Sequence, residues 1–162
     1  MNQFEQMMYV GVIMSIVLSV MILGSLYYNP RLSLTDYPKD IQKVVFPKSI
    51  HEKSKPFILI LYIILFFSVL LSFLHIYYIS MKSNVYGCLF THFWYFNDFN
   101  LVDLLIIDWL IFCWITPRFV VIPSTEGMKG YKDYKFHLRG AIVATQILAI
   151  VSLFLAGIAT TI

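Results

Sequence analysis

Residues 93–115 read FWYFNDFNLVDLLIIDWLIFCWI, a stretch apolar enough for hydrocarbon that nonetheless carries Asn97, Asp98, Asn100, Asp103 and Asp108 in its interior. Three other long apolar runs, Met7–Tyr28, Pro56–Ile79 and Leu138–Ile162, are almost free of charge. A run of roughly 20 apolar residues crosses a bilayer as a helix. Carboxyl groups inside such a span are costly and face a polar interior or a partner. The expectation is an all-α polytopic membrane protein in one domain, 1–162. Its four transmembrane helices, at about 7–28, 56–79, 88–115 and 137–161, form one bundle with a polar site on the third.

Composition points the same way. The 162 residues are 59% hydrophobic and 13% charged, with a mean hydropathy of +0.76. Soluble domains carry about 25% charged residues. Four spans and their connections use the whole length, which leaves no room for a separate soluble module. The net charge of +3 is too small to indicate nucleic-acid binding, and no nucleic-acid partner is expected. The first run lacks a basic leader and a small-residue cleavage pattern, so it reads as a span rather than a signal peptide. Neither end shows a lipidation motif.

The basic residues fix a topology. Arg31, Lys39, Lys43, Lys48, Lys53 and Lys55 lie between the first two runs. Arg118, Lys129, Lys132, Lys135 and Arg139 lie between the last two or just inside the fourth, and the second connection has only Lys82. The positive-inside rule makes 29–55 and 117–136 cytoplasmic and puts both termini outside. Asp36-Tyr37-Pro38-Lys39-Asp40 reads as a helix start. Ile41, Val44 and Val45 then share one face, which suggests a short interfacial helix on anionic headgroups, or a lid over a cavity.

On a helical wheel His92, Asn97, Asn100, Asp103 and Asp108 fill a continuous arc of roughly 160°. The opposite arc holds Tyr95, Phe99, Val102, Leu105, Ile106 and Trp109, with Asp98 on that side but nearer the outer end. An Asp at a helix centre costs about 2.5–3.5 kcal/mol, against about 0.3–0.6 returned by each Leu, Ile, Phe or Val. The third helix therefore inserts poorly alone and depends on its neighbours. Arg139 and Gln146 on the fourth helix are its expected partners, with Ser68, Ser72 and His75 on the second. The candidate intramembrane polar site is thus Asn97, Asn100, Asp103, Asp108, His92, His75, Arg139 and Gln146. A buried network that only fixes packing is an equal reading.

A second polar concentration follows Pro117. Glu126, Asp133, His137 and Arg139 there are candidate catalytic groups, with Lys132 and Lys135 as phosphate holders. Tyrosines and lysines at a helix end are also what an interfacial anchor requires. No His-x-x-x-His, Glu-x-x-His or Cys-rich spacing occurs, so neither a metal nor a cofactor is expected. His51, His75, His92 and His137 divide two and two between the sides, which makes bis-His haem ligation a poor alternative. Cys88 and Cys113 would sit about 38 Å apart on a continuous helix, beyond disulfide reach.

Ala141, Thr145, Ala149, Ser152, Ala156 and Thr160 fall within about a 100° arc of the fourth helix. Such stripes let helices approach closely in lipid, inside the protomer or against a second copy. The bilayer is the first expected partner, with a homo-oligomer or another membrane protein through this stripe as the second.

The segments Asn29–Gln42 (NPRLSLTDYPKDIQ) and Pro123–Gly140 resemble segments of small uncharacterised four-helix bacterial integral membrane proteins. The resemblance covers about a fifth of the chain. It implies the bacterial cytoplasmic membrane and carries no activity. Three functions follow from the residues. The first is a proton, cation or lipid-headgroup site on the third helix of a small transporter or channel-like subunit. The second is a membrane enzyme acting on a lipid-linked substrate at the cytoplasmic interface. The third is a structural or assembly subunit of a membrane complex.

Overall fold

The fold is all-α, with about four main helices and, among the described residues, no strand. The computed structural model describes residues 3–45, 60, 63, 67, 70 and 85–161. Helix α1 (Gln3–Tyr28) is followed by a 3₁₀ segment (Pro30–Asp36) and the short α2 (Lys39–Val44). Helix α3 (Val85–Val102) runs without a break into a π-helix (Asp103–Ile115). A 3₁₀ turn (Lys129–Lys132) then leads into α4 (Tyr134–Thr161). Of the second predicted run, only Ile60, Ile63, Phe67 and Leu70 are described; they are helical and exposed, at spacings that share one face. His51, Ser68, Ser72, His75 and Lys82 lie outside the described residues.

Two helices are long and apolar enough to cross a membrane, over Met8–Tyr28 and Tyr134–Ile158. The α3–π segment is less apolar, interrupted by Asp98, Asp103 and Asp108. Among the described residues, the most extensive helix–helix interface joins α3 to α4, and α1 packs on α3 next. Ser152 and Ala156 of the small-residue stripe are fully buried within the protomer, while Ile147, Ile150, Leu153 and Phe154 face outward.

The first connection, expected as an interfacial helix or a lid, and the second, expected as a turn-rich interfacial segment, instead pack together. Tyr37, Ile41, Val120, Ile122 and Tyr131 come from those connections. With Leu26 of α1 and Phe112 of the π-helix they form one buried cluster. The Tyr37 ring meets Phe112 edge-on at 4.9 Å and Tyr131 at 6.1 Å. Such pairs add about 0.5–1.5 kcal/mol each beyond burial. The polar ends of these rings are satisfied: Tyr37 Oη donates to Val120 O at 2.8 Å. Tyr131 Oη accepts from Ile122 N at 2.9 Å and bonds Thr125 Oγ1 at 2.6 Å. Thr125 Oγ1 also donates to Ile122 O at 2.7 Å. Burial, with Tyr131 and Asp36 nearby, holds the Tyr37 hydroxyl well above the usual tyrosine range, so it stays a donor. We call this unit the cap.

Helix α2 joins the cap rather than lying free. Ile41 is fully buried in the cluster, whereas Val44 is exposed, so the expected common face of Ile41 and Val44 is split. Asp40 accepts a hydrogen bond from Gly130 N at 3.0 Å, tying α2 to the second connection. A side chain at Gly130 would collide with the Asp40 carboxylate, which is why a residue without Cβ stands there.

Candidate functional site

Wheel geometry at 100° per residue holds along α3 only as far as Val102. From Asp103 the backbone bonds run i→i+5, as in the 2.8 Å bond from Thr116 N to Ile111 O that closes the π-helix. Residues five apart then stack one turn above another. Asp103 and Asp108 have that spacing, so the π-helix narrows the polar arc and aims both carboxyl groups the same way. π-helical segments are uncommon and recur at functional sites.

The end of the π-helix is held from outside. Thr116 is left-handed (φ 46°), a conformation unusual for a β-branched residue. Its hydroxyl donates to Phe112 O at 2.9 Å. The Lys132 ammonium donates to Cys113 O, Trp114 O and Thr116 Oγ1 at 2.5, 2.9 and 3.0 Å. A cation on the last carbonyls of a helix satisfies them and complements its dipole. Lys132, read from sequence as a phosphate holder, is thus committed to this cap.

Asp103 and Asp108 open onto a cavity of about 670 Å³. Its walls come from the end of α1 (Ser25, Leu26), the first 3₁₀ segment and its cap (Ser33, Thr35, Asp36, Tyr37), the π-helix (Ile107, Phe112) and the start of α4 (Phe136, His137, Arg139). Asp108 Oδ1 lies 3.0 Å from His137 Nδ1, and the imidazole is almost wholly buried. Phe112 packs against that ring at 5.0 Å. The sequence pointed to Arg139 as the partner of Asp108. On a helix, however, 137 and 139 point roughly 200° apart, and Arg139 is exposed at the rim while His137 takes the pair.

Asp36 is the group that sequence reasoning left out of the site. The residue is largely exposed, but its carboxyl sits at the cavity wall. Crowding there raises it above the usual carboxylate range; the Thr35 hydroxyl opposes this and Asp108 adds to it. Three carboxyl groups from two distant parts of the chain therefore face one space, with one guanidinium and one imidazole. Among the described residues no three His, Cys, Asp or Glu side chains converge on a single metal position.

No known protein family, curated protein or solved structure matches the chain.

The other predicted residues separate by task. Asn100 Nδ2 donates to Ala141 O at 3.1 Å and Thr145 Oγ1 at 2.9 Å, locking α3 to α4 at the small-residue stripe. Asn97 donates to its own helix at Phe93 O, 2.9 Å away. His92 is fully buried further along α3, and Gln146 is exposed; neither lines the cavity. Asp98 packs against α1, where a Cβ on Gly11 would stand 2.7 Å from its Oδ2.

Of the four catalytic candidates, His137 and Arg139 reach the cavity. Asp133 instead caps α4, its Oδ1 accepting from Phe136 N at 3.0 Å, and Glu126 accepts from Ser124 N at 3.3 Å in an exposed turn. The Cys113 thiol lies near His137, but His137 Nε2 has no hydrogen-bond partner among the described residues, so no carboxylate–imidazole–thiol relay is closed. Cys113 is also fully buried, and a nucleophile needs access to its substrate.

Proposed function

We propose that the protein is a four-span integral membrane protein of the bacterial cytoplasmic membrane whose cavity takes up a proton or cation, in a small transporter or channel-like subunit. The observation that carries this reading is the convergence of Asp36, Asp103 and Asp108 on one cavity, against Arg139 and a His137 already paired with Asp108. That balance favours positive charge over a phosphate. The membrane setting is supported by the two long apolar helices. Only 17% and 11% of their apolar stretches are buried, unlike the core helix of a soluble protein. Charge asymmetry orients them, with the cap and cavity on the cytoplasmic side and both termini outside. The α3–π segment crosses with its carboxyl groups turned toward the bundle.

The enzyme reading draws less support because Glu126 and Asp133 are used in local caps away from His137 and Arg139. An assembly role through the α4 stripe draws less because Ser152 and Ala156 are buried inside the protomer.

The test is flux in proteoliposomes carrying a pH-sensitive dye, under an imposed proton or cation gradient. Wild type should conduct, and Asp103→Asn and Asp108→Asn should abolish conduction while yield and helix content hold. Flux that survives both substitutions rejects the reading.

A further inference from the structure

We propose that the cavity binds an organic ammonium group, an inference that rests on the cation reading of the same site and names its ligand class. The volume is the first argument. A proton needs no cavity, while about 670 Å³ falls within the roughly 300–1,000 Å³ typical of small-molecule pockets. The ligand set is the second. Metal ions need several donors at one point, and among the described residues no such group of His, Cys, Asp or Glu exists. The carboxyl groups instead line different walls, Asp36 on the 3₁₀ segment and Asp103 on the π-helix. Neither takes part in an ion pair among the described residues, whereas Asp108 holds His137.

The remaining wall is the third argument. Leu26, Tyr37, Ile107, Phe112 and Phe136 give it an apolar and aromatic lining. An alkylammonium matches both halves, its charge drawn to carboxylates through charge-assisted hydrogen bonds and its carbon body covered by aromatic and aliphatic side chains. An inorganic cation would leave the apolar half unused, and an anion would meet the acids. A free amine and a phosphatidylethanolamine headgroup present the same chemistry.

The experiment uses the purified full chain and two probes. Ethanolamine is titrated in maltoside detergent against sodium chloride at matched ionic strength. Separately, nanodiscs of phosphatidylethanolamine are compared with nanodiscs of phosphatidylglycerol, and the readout is the unfolding midpoint. A saturable rise with ethanolamine supports a free amine, and a rise confined to the phosphatidylethanolamine nanodiscs supports a headgroup. In either case Asp103→Asn should weaken binding about tenfold or more, since a hydrogen bond to a charged group is removed. Glu126→Gln, outside the cavity, should change nothing. If Asp103→Asn does not fold, Phe136→Leu serves instead and should weaken ethanolamine binding while leaving the sodium chloride baseline in place. Midpoints that respond to neither probe beyond the salt control overturn the inference. If Asp103-dependent proton flux persists in that case, the ammonium assignment alone falls; loss of that flux as well removes the underlying cation reading.

Discussion

Replacing Tyr131 with Phe removes one oxygen from the centre of the cap and leaves the ring in place. The hydroxyl is the acceptor for Ile122 N and a partner of Thr125 Oγ1, at 2.9 and 2.6 Å. Ile122 is 1% exposed and Thr125 1%, so no water replaces the lost oxygen. An unsatisfied buried N–H costs about 1–3 kcal/mol, and the lost bond to Thr125 adds about 1 kcal/mol, because Thr125 keeps its donation to Ile122 O. The total is about 2–4 kcal/mol. For a chain of this length each kcal/mol shifts the midpoint by about 2–4 °C, so Tm should fall by about 4–16 °C. Thermal unfolding followed by near-ultraviolet circular dichroism in detergent measures it. Thr125→Val in the Tyr131→Phe background should cost less than in wild type, with a coupling of about 1 kcal/mol. A Tyr131→Phe midpoint equal to wild type, or strict additivity, would refute the cap as a buried hydrogen-bonded unit. It would also remove what holds Asp36 at the cavity.

Lys132→Met keeps the stem but strips the cap from the π-helix end, and should cost about 1–3 kcal/mol, read as a lower Tm. Lys132→Arg should recover part of it. Gly130→Ala drives a Cβ into the Asp40 carboxylate and breaks the Gly130–Asp40 bond, so it should lower Tm more than Gly157→Ala, where the added Cβ meets nothing within 4 Å. Asp36 sets a pH dependence. Its carboxyl holds a proton to higher pH in the folded state than in the unfolded chain, where 3.8 applies. The native state then binds more protons between those two values, so stability falls as pH rises through that window. Asp36→Asn should flatten this segment of a Tm-against-pH curve, and a parallel offset at every pH would count against it. His137→Gln should destabilise, since losing the imidazole strands the partly buried Asp108 carboxylate, whereas Asp108→Asn keeps an oxygen acceptor for His137.

The long apolar runs made α1, α3 and α4 legible, because length and hydropathy alone define such segments. The cap was not. Pro, Gly and Lys in 29–45 and 117–133 mark turns, and turns are ordinarily surface features. Tyr37 read as part of a helix start and Tyr131 as an interfacial anchor, because their shared pocket depends on contacts between distant parts of the chain. Asp103 and Asp108 were found as acids, but their alignment was hidden by assuming 3.6 residues per turn. The five-residue spacing of Asp103 and Asp108 was the available sign of a wider coil. His137 stood among the candidates, but its pairing with Asp108 was not foreseen, since spacing on α4 does not reveal which face turns toward Asp108.

The placement of the buried cluster reverses a common intuition about helical proteins. Leu26, Tyr37, Ile41, Phe112, Val120, Ile122 and Tyr131 gather at one end, among the connections, while α1 and α4 present largely exposed apolar surface along their length. Amide protons of the cap, such as Ile122 N–H locked on Tyr131, should then rank among the slowest to exchange with deuterium. The segments that look like linkers are the knot from which the long helices hang.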